Sequence, residues 1–220
     1  HHRISPFNVK SVSGQTYNAA FFLVDVQSVI PTPKHRSQAM HSPHRYKWFE
    51  AEKKEMASLA EMETYVEELV PADTKTVRPQ WVYAVKDGPL FKARLVGDGS
   101  KLREGIDFDE KTSPTARKAS MLTLVGIATE LNMHIHQLDV STAYLYAKIK
   151  DGQVVYLSLP PGYQAYSKPG TNEKVVWRLK KCLYGLPWSG RSFWLHMDFR
   201  LKKLGFLPTN GDPCVYVHEG

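Results

Sequence analysis

The sequence predicts an α+β fold, in which an antiparallel sheet is covered by helices on one face. The clearest signal is a β-hairpin at residues 81–96, where two apolar-rich strands flank an Asp87-Gly88 turn. Helices are indicated where apolar side chains recur every three or four positions, at residues 43–62, 116–131 and 190–204. Further strands are predicted at residues 19–26, 135–140, 154–157 and 215–217.

The first predicted helix has both a start signal and an apolar face. Ser42-Pro43 offers a capping side chain followed by a proline in the first turn. Residues 31–36, which are rich in proline and basic side chains, are expected to be a linker. The apolar face is formed by Trp48, Met56, Leu59 and Met62.

The candidate catalytic residue is Asp139, at the end of the strand predicted at residues 135–140. We expect the helix at residues 116–131 to pack beneath this half-buried strand. A carboxylate in such a place must be paired, hydrogen-bonded or metal-bound, because burying it without a partner costs on the order of several kcal/mol. Two interpretations stay open: a magnesium ligand, or a cap for the helical turn at Ser141-Thr142-Ala143.

Composition narrows the class of protein. A chain of 220 residues with 42% hydrophobic content can bury a sizeable core, in one domain or two subdomains. The two distant cysteines, Cys182 and Cys214, provide neither a metal-binding spacing nor a disulfide framework, which favours a reducing compartment. No stretch approaches the roughly 20 apolar residues of a membrane span. We therefore expect a soluble protein without a membrane partner.

The net charge of +7 is concentrated near the end of the chain. Residues 168–203 contain nine Lys or Arg and only two acids, Glu173 and Asp198. Cations interleaved with rings are typical of nucleic-acid surfaces, where phosphates are neutralised and bases stack. The alternative is a solvated helix face with the rings in the core. The aromatic residues concerned are Trp177, Tyr184, Trp188, Phe193 and Trp194.

A series of sequence blocks resembles the reverse transcriptases of copia-like LTR retrotransposons. The run Gln137-Leu138-Asp139-Val140-Ser141-Thr142-Ala143-Tyr144-Leu145 is similar to the first catalytic motif of that family. Ordered blocks over residues 33–220 are far more specific than one short motif. The flanking blocks are Trp48 with Glu55, residues 87–96, residues 105–108, residues 112–114, residues 155–157 with 160–162, residues 179–186, and residues 204–206 with 212–216.

The resemblance implies a part of a right-hand polymerase. Residues 33–132 would belong to the fingers and residues 133–220 to a partial palm, with residues 1–32 unassigned. The complete enzyme would be an RNA-directed DNA polymerase that uses two Mg²⁺ ions, an RNA or DNA template-primer and deoxynucleoside triphosphates. We expect it inside the cell, in a cytoplasmic particle or the nucleus.

The family's Asp-Asp hairpin has no counterpart in this sequence, which contains no adjacent pair of aspartates. We therefore expect a fragment that ends before that motif and is inactive by itself, because two-metal catalysis needs more than one carboxylate. The alternative is a dead or domesticated copy that only binds nucleic acid.

The resemblance also implies roles for individual residues. Asp139 would bind both metal ions, and the carbonyl of Val140 would add a ligand. Strand alternation places Lys92 and Arg94 on one face of the hairpin, and these two cations would hold the triphosphate, although a solvated strand face is the alternative. Tyr144 would lie under the sugar.

Tyr184 and Gly185 would contact the nucleotide or the template, the glycine by allowing close approach of the backbone; a plain turn is the alternative. The cations expected to bind nucleic acid are Lys180, Lys181 and Arg191.

Two departures from the family pattern bear on this site. Gly97-Asp98-Gly99-Ser100 follows the hairpin where a basic residue and a ring are common, and it would bring an acid near the phosphates. Pro187-Trp188 stands where Lys-Gln is common, and the large ring is expected to alter nucleotide contacts.

Overall fold

The computed structural model describes residues 30–86, 90–163 and 172–218, together with two short strands nearer the start. Residues 1–31 and residues 32–220 form two compact units. The first unit contains strands β1 (Val9–Lys10) and β2 (Thr16–Tyr17), paired antiparallel. The strand predicted at residues 19–26 and the Asp87-Gly88 turn lie outside the described residues.

The second unit mixes helices with antiparallel strands. Its helices are α1 (Arg36–His41), α2 (Arg45–Glu61), α3 (Lys118–Glu130) and α4 (Ser189–Lys203). Its strands are β3 (Tyr65–Pro71), β4 (Arg78–Lys86), β5 (Leu90–Asp98), β6 (Tyr156–Leu157), β7 (Glu173–Leu179), β8 (Phe206–Pro208) and β9 (Tyr216–His218). The described chain therefore has an α+β fold, as predicted.

Every pairing between these strands is antiparallel. β7 lies at the centre of a three-stranded sheet, with β3 on one side and β6 on the other. β4 and β5 form the predicted hairpin, with Lys86 opposite Leu90. β8 pairs with β9.

Helix α2 confirms the amphipathic pattern read from the sequence, but its start differs. Its buried apolar side chains are Trp48, Ala51 and Leu59. Ser42 does not cap α2, because it ends α1 and donates its hydroxyl to the Ala39 carbonyl. Helix α1 also begins at Arg36, inside the region expected to be a linker.

The core joins α2 to the hairpin. The ring of Trp48 meets that of Tyr83 edge-on at 5.2 Å between centroids, and both side chains are buried. The Tyr83 hydroxyl donates to the buried Glu52 carboxylate, which also accepts from the Arg36 guanidinium at 3.1 Å. Burying this carboxylate is tolerable because both oxygens are satisfied.

The strand predicted at residues 135–140 does not form. Residues 133–140 have no regular secondary structure, and their side chains are exposed, with Leu138 at 92%. The expected packing of α3 beneath this strand is also wrong, since none of the α3 side chains is buried. The periodicity of residues 116–131 correctly predicted helix α3, but periodicity does not show which element packs against a helix.

Two of the five aromatic residues of the basic stretch are buried in the core. Trp177 is 1% exposed and stacks on Tyr65 at 3.6 Å between ring centroids. Trp188 is 5% exposed and packs against Phe108. These two tryptophans therefore do not offer faces on which bases could stack. No helix in the described part of the chain is long and apolar enough to cross a membrane.

Candidate active site

Asp139 shares one cleft with the two cations of the hairpin. The cleft has a volume of about 340 Å³ and is bounded by α2, the β4–β5 hairpin, residues 139–142 and Tyr184. Lys92 and Arg94 line it together with Asp139 and Val140. The structure thus brings together residues that the sequence places far apart.

The hairpin presents its cations because its other face is buried. Arg94 lies opposite Val82 and Lys92 opposite Ala84, and residues paired in this way lie on the same face. The alternate positions are buried in the core: Trp81, Tyr83, Ala93 and Leu95. Alternation therefore directs the two cations toward the cleft.

Sequence reasoning gave no site role to three charged residues of the cleft, although one of them, Glu55, belongs to a block that carries the resemblance. Lys86 lies on the same hairpin face as Lys92 and could have been found from strand alternation. Lys54 and Glu55 come from α2, and only the packing of α2 against β5 brings them to the cleft. Among the described residues, the lining therefore has four cationic side chains and two carboxylates.

Glu55 contacts the backbone of the hairpin. Its carboxylate accepts a hydrogen bond from the Leu95 N–H at 3.2 Å. Partial burial raises the pKa of the Glu55 carboxyl, while the Leu95 N–H and the charge of Arg94 oppose that rise. The contact connects α2 to the strand that carries Lys92 and Arg94.

Tyr184 forms another wall of the cleft. The Arg94 guanidinium lies 5.0 Å from the centroid of its ring, a cation–π contact. Partial burial raises the pKa of the Tyr184 hydroxyl, so at neutral pH it stays a hydrogen-bond donor. Tyr144 does not line the cleft; its ring packs on Tyr184 at 4.9 Å and near Phe193.

A close approach of two backbones explains Gly185. The Gly97 N–H donates to the Tyr184 carbonyl at 2.8 Å, and Gly185 has φ +83°. A Cβ at residue 185 would collide with the Gly97 carbonyl oxygen. Glycine is therefore required at 185 by its contact with β5, whatever else it touches.

Asp139 does not serve as a helix cap. A 3₁₀ turn, Ala143–Tyr146, follows it, and no side chain caps that turn. The Asp139 carboxylate is exposed at the cleft, where an oxygen ligand could meet Mg²⁺. No group of three or more His, Cys, Asp or Glu side chains in the described ranges is arranged to hold a metal.

The cations expected to bind nucleic acid have different surroundings. Lys180 is exposed and Lys181 half-buried, and the backbone N–H of each donates to the Thr64 carbonyl. Arg191 is engaged within the chain, since it pairs with Glu110 and donates to the Thr112 carbonyl at 3.1 Å. The two lysines are thus better disposed than Arg191 to meet phosphates.

Both departures from the family pattern have local structural roles. Asp98 does not line the cleft; its carboxylate accepts from the N–H and the hydroxyl of Ser100. Whether Asp98 comes near bound phosphates therefore stays a prediction, with its carboxylate engaged by Ser100. Trp188 likewise does not line the cleft, because it is buried against Phe108.

Comparison with known proteins identifies the family. A family model described as reverse transcriptase (RNA-dependent DNA polymerase) matches residues 62–220. The chain therefore belongs to the reverse transcriptase family. The expectation of a copia-like member is confirmed by this match and by similarity to transposon Pol polyproteins.

Three relatives illustrate the similarity. The retrovirus-related Pol polyprotein from transposon TNT 1-94 of Nicotiana tabacum is 32% identical over 189 residues, which cover 84% of this chain and 14% of that protein. The corresponding polyprotein from transposon RE1 of Arabidopsis thaliana is 33% identical over 152 residues, covering 67% of this chain and 10% of that protein. The transposon Ty1-BL Gag-Pol polyprotein of Saccharomyces cerevisiae is 31% identical over 179 residues, which cover 79% of this chain and 10% of that protein.

The chain thus corresponds to a small part of each of these polyproteins. No solved structure matches it.

Proposed function

We propose that this chain forms the fingers and the first part of the palm of a copia-like reverse transcriptase, with residues 33–132 in the fingers and residues 133–220 in the palm. Its cleft would receive an incoming deoxynucleoside triphosphate. The observation that carries this proposal is that Asp139, from the first catalytic motif, lines the same cleft as Lys92 and Arg94.

The charge of the cleft suits a triphosphate bound with magnesium. The cationic side chains around it exceed the carboxylates, and a polyanion is attracted to a concave site of this kind. Of the carboxylates, Asp139 remains useful because a divalent ion needs oxygen ligands. The cationic residues are Lys54, Lys86, Lys92 and Arg94, and the carboxylates are Glu55 and Asp139.

Asp139 and the carbonyl of Val140 would hold magnesium ions in the complete enzyme. The ions would supply neutralisation of the triphosphate and activation of the primer 3′-hydroxyl. Further carboxylates are needed for two ions, and the described part of this chain offers no cluster of three. The chain's own contribution is to orient the triphosphate through Lys92 and Arg94, which stand on a stiff hairpin.

The aromatic residues around Arg94 would shape the sugar and base pocket. Tyr184 would contact the nucleotide, and Gly185 would bring the neighbouring backbone close to the nucleotide or template. Tyr144 would support the sugar. In favour of this arrangement, the Tyr144 ring packs on Tyr184, which lines the cleft.

The template-primer, RNA or DNA, would be bound through Lys180, Lys181 and Arg191. Contacts of this kind are made to phosphates and depend little on base sequence. We also propose that the protein works inside the cell, in a cytoplasmic particle or the nucleus, where its free Cys182 and Cys214 stay reduced.

A graft tests the proposal. Residues 62–220 replace the corresponding segment of the tobacco TNT 1-94 polyprotein, and primer extension on an RNA template is measured. We expect extension by the graft, at least about 100-fold less with Asp139→Asn, and no loss with Asp73→Asn, an exposed turn carboxylate. Equal extension with and without Asp139→Asn would remove this residue from the mechanism. A graft that binds primer-template but never extends it would favour a module that only binds nucleic acid.

A further inference from the structure

We propose that Glu55 is a positioning residue, which fixes strand β5 against helix α2 so that Arg94 and Lys92 meet the triphosphate. This inference rests on the proposed nucleotide cleft. Glu55 itself need not touch the nucleotide.

The first support is the place of the hydrogen bond. The hairpin is a two-stranded sheet, so one edge of β5 faces away from β4. At that edge the Leu95 N–H donates to the Glu55 carboxylate at 3.2 Å, and two residues further on the Gly97 N–H donates to the Tyr184 carbonyl at 2.8 Å. Successive edge amides of β5 are thus held by two different parts of the fold.

The second support is the position of Arg94 next to the first of these two attachments. Arg94 directly precedes Leu95, so a shift of this edge along α2 displaces the guanidinium by a similar distance. Its guanidinium also lies over the Tyr184 ring, and Tyr184 belongs to the second attachment. A displacement of about 1 Å is enough to weaken a positioned contact severely.

The third support is that α2 and β5 already pack tightly through apolar residues. Trp48 contacts Phe91 edge-on at 4.5 Å between ring centroids, and Leu95 is fully buried. Apolar packing brings the two elements together, but it is weakly directional. A hydrogen bond from one backbone N–H to a half-buried carboxylate specifies the register between them.

The test measures the affinity of the 220-residue chain for magnesium dATP by calorimetry. Glu55→Ala removes the acceptor, and we expect affinity to fall about tenfold. Glu55→Gln keeps an oxygen that can accept the Leu95 N–H, and we expect affinity within about threefold of the wild type. Glu55→Asp keeps the charge but shortens the side chain, so we expect a loss resembling that of Glu55→Ala.

Glu61→Ala, an exposed glutamate at the end of the same helix, is the matched control and should change nothing. The exchange rate of the Leu95 amide, measured by NMR without nucleotide, should rise in Glu55→Ala and Glu55→Asp and stay low in Glu55→Gln. This readout keeps the inference testable even if one variant is less stable.

The outcomes separate this inference from the proposed function. If Arg94→Ala weakens dATP binding while Glu55→Ala and Glu55→Asp bind like the wild type, the positioning role is overturned and the cleft stands. If Glu55→Asp binds normally and Glu55→Gln does not, the carboxylate acts through its charge and the positioning role is also overturned. If Arg94→Ala has no effect on binding, the proposed nucleotide cleft itself is wrong.

Discussion

The guanidinium carbon of Arg94 lies 5.0 Å from the ring centroid of Tyr184. The contact joins the hairpin to the segment between β7 and α4, and the backbone carbonyl of the same tyrosine accepts the Gly97 N–H from β5. A cation held over a ring contributes about 0.5–2 kcal/mol, depending on its desolvation. One wall of the cleft is therefore held by a side-chain contact and a backbone contact at once.

Replacing the Tyr184 ring should weaken the hold on Arg94. We expect Tyr184→Ala to lower the affinity for magnesium dATP by about 3- to 30-fold, through loss of the cation–π contact. Tyr184→Phe keeps the ring, and we expect it to bind within about twofold of the wild type. Isothermal titration measures both, and a Tyr184→Ala variant with wild-type affinity would contradict the role of the ring.

The buried hydroxyl of Tyr83 should matter for stability. Tyr83→Phe leaves the Glu52 carboxylate without one of its partners, while Arg36 remains. We expect the free energy of unfolding to fall by about 1–3 kcal/mol. Tyr46→Phe is the control, since Tyr46 is 70% exposed, and should cost less than about 0.5 kcal/mol. Urea titration of both variants makes the comparison, and equal midpoints would argue against the buried network.

Asp212 should make stability depend on pH. Its carboxylate, 2% exposed as a residue, accepts from the Arg117 N–H at 2.8 Å and the Ser120 hydroxyl at 2.7 Å at the start of α3. These bonds, with one from the Cys214 N–H, hold the pKa of Asp212 below its ordinary value of about 3.9. A lowered folded-state pKa contributes stability above the unfolded pKa, and that stability is lost as pH falls through the folded pKa.

We therefore expect Asp212→Asn to lower the melting temperature at pH 7 and to reduce the drop in melting temperature between pH 5 and 3. Asp73→Asn, in an exposed turn, should leave both unchanged. A variant at Asp212 whose melting temperature keeps the wild-type pH dependence would show that another carboxylate is responsible.

The lysine pair should dominate binding of nucleic acid. Replacing Lys180 and Lys181 by glutamine should lower the slope of log affinity against log salt by about 2, because two phosphate contacts are lost. Arg191→Gln should lower it by less, because Arg191 is already paired with Glu110. Filter binding to a primer-template at several salt concentrations gives the slopes. The reverse order would show that the Glu110 pair opens on binding.

The sequence was sufficient to predict a helix or strand where the pattern of side chains lies within that one element. The apolar face of α2, the alternation of β4 and β5 and the periodicity of α4 each lie within a single element, and each formed as predicted. The strand predicted at residues 135–140 does not form, because a strand needs a paired neighbour and the alternation of side chains does not identify one.

The cleft could be predicted only in part. Asp139 could be predicted from the motif resemblance, and Lys92 and Arg94 from the resemblance and strand alternation. All three line the same cleft. The positions of Glu55 and Lys54 in the cleft could not be predicted, because they depend on the packing of α2 on β5, which no local pattern encodes. Burial of Trp188 against Phe108 also depends on a contact across the fold.

The measurement that tests the central claim most directly is titration of the 220-residue chain with magnesium dATP, in the wild type and in the double variant Lys92→Ala with Arg94→Ala. We expect affinity to fall at least about tenfold in the double variant, since two charge-assisted contacts to phosphate are lost. Lys53→Ala, an exposed α2 lysine paired with Glu50, is the control and should bind like the wild type. Equal affinity of the double variant and the wild type would contradict a triphosphate site in this cleft.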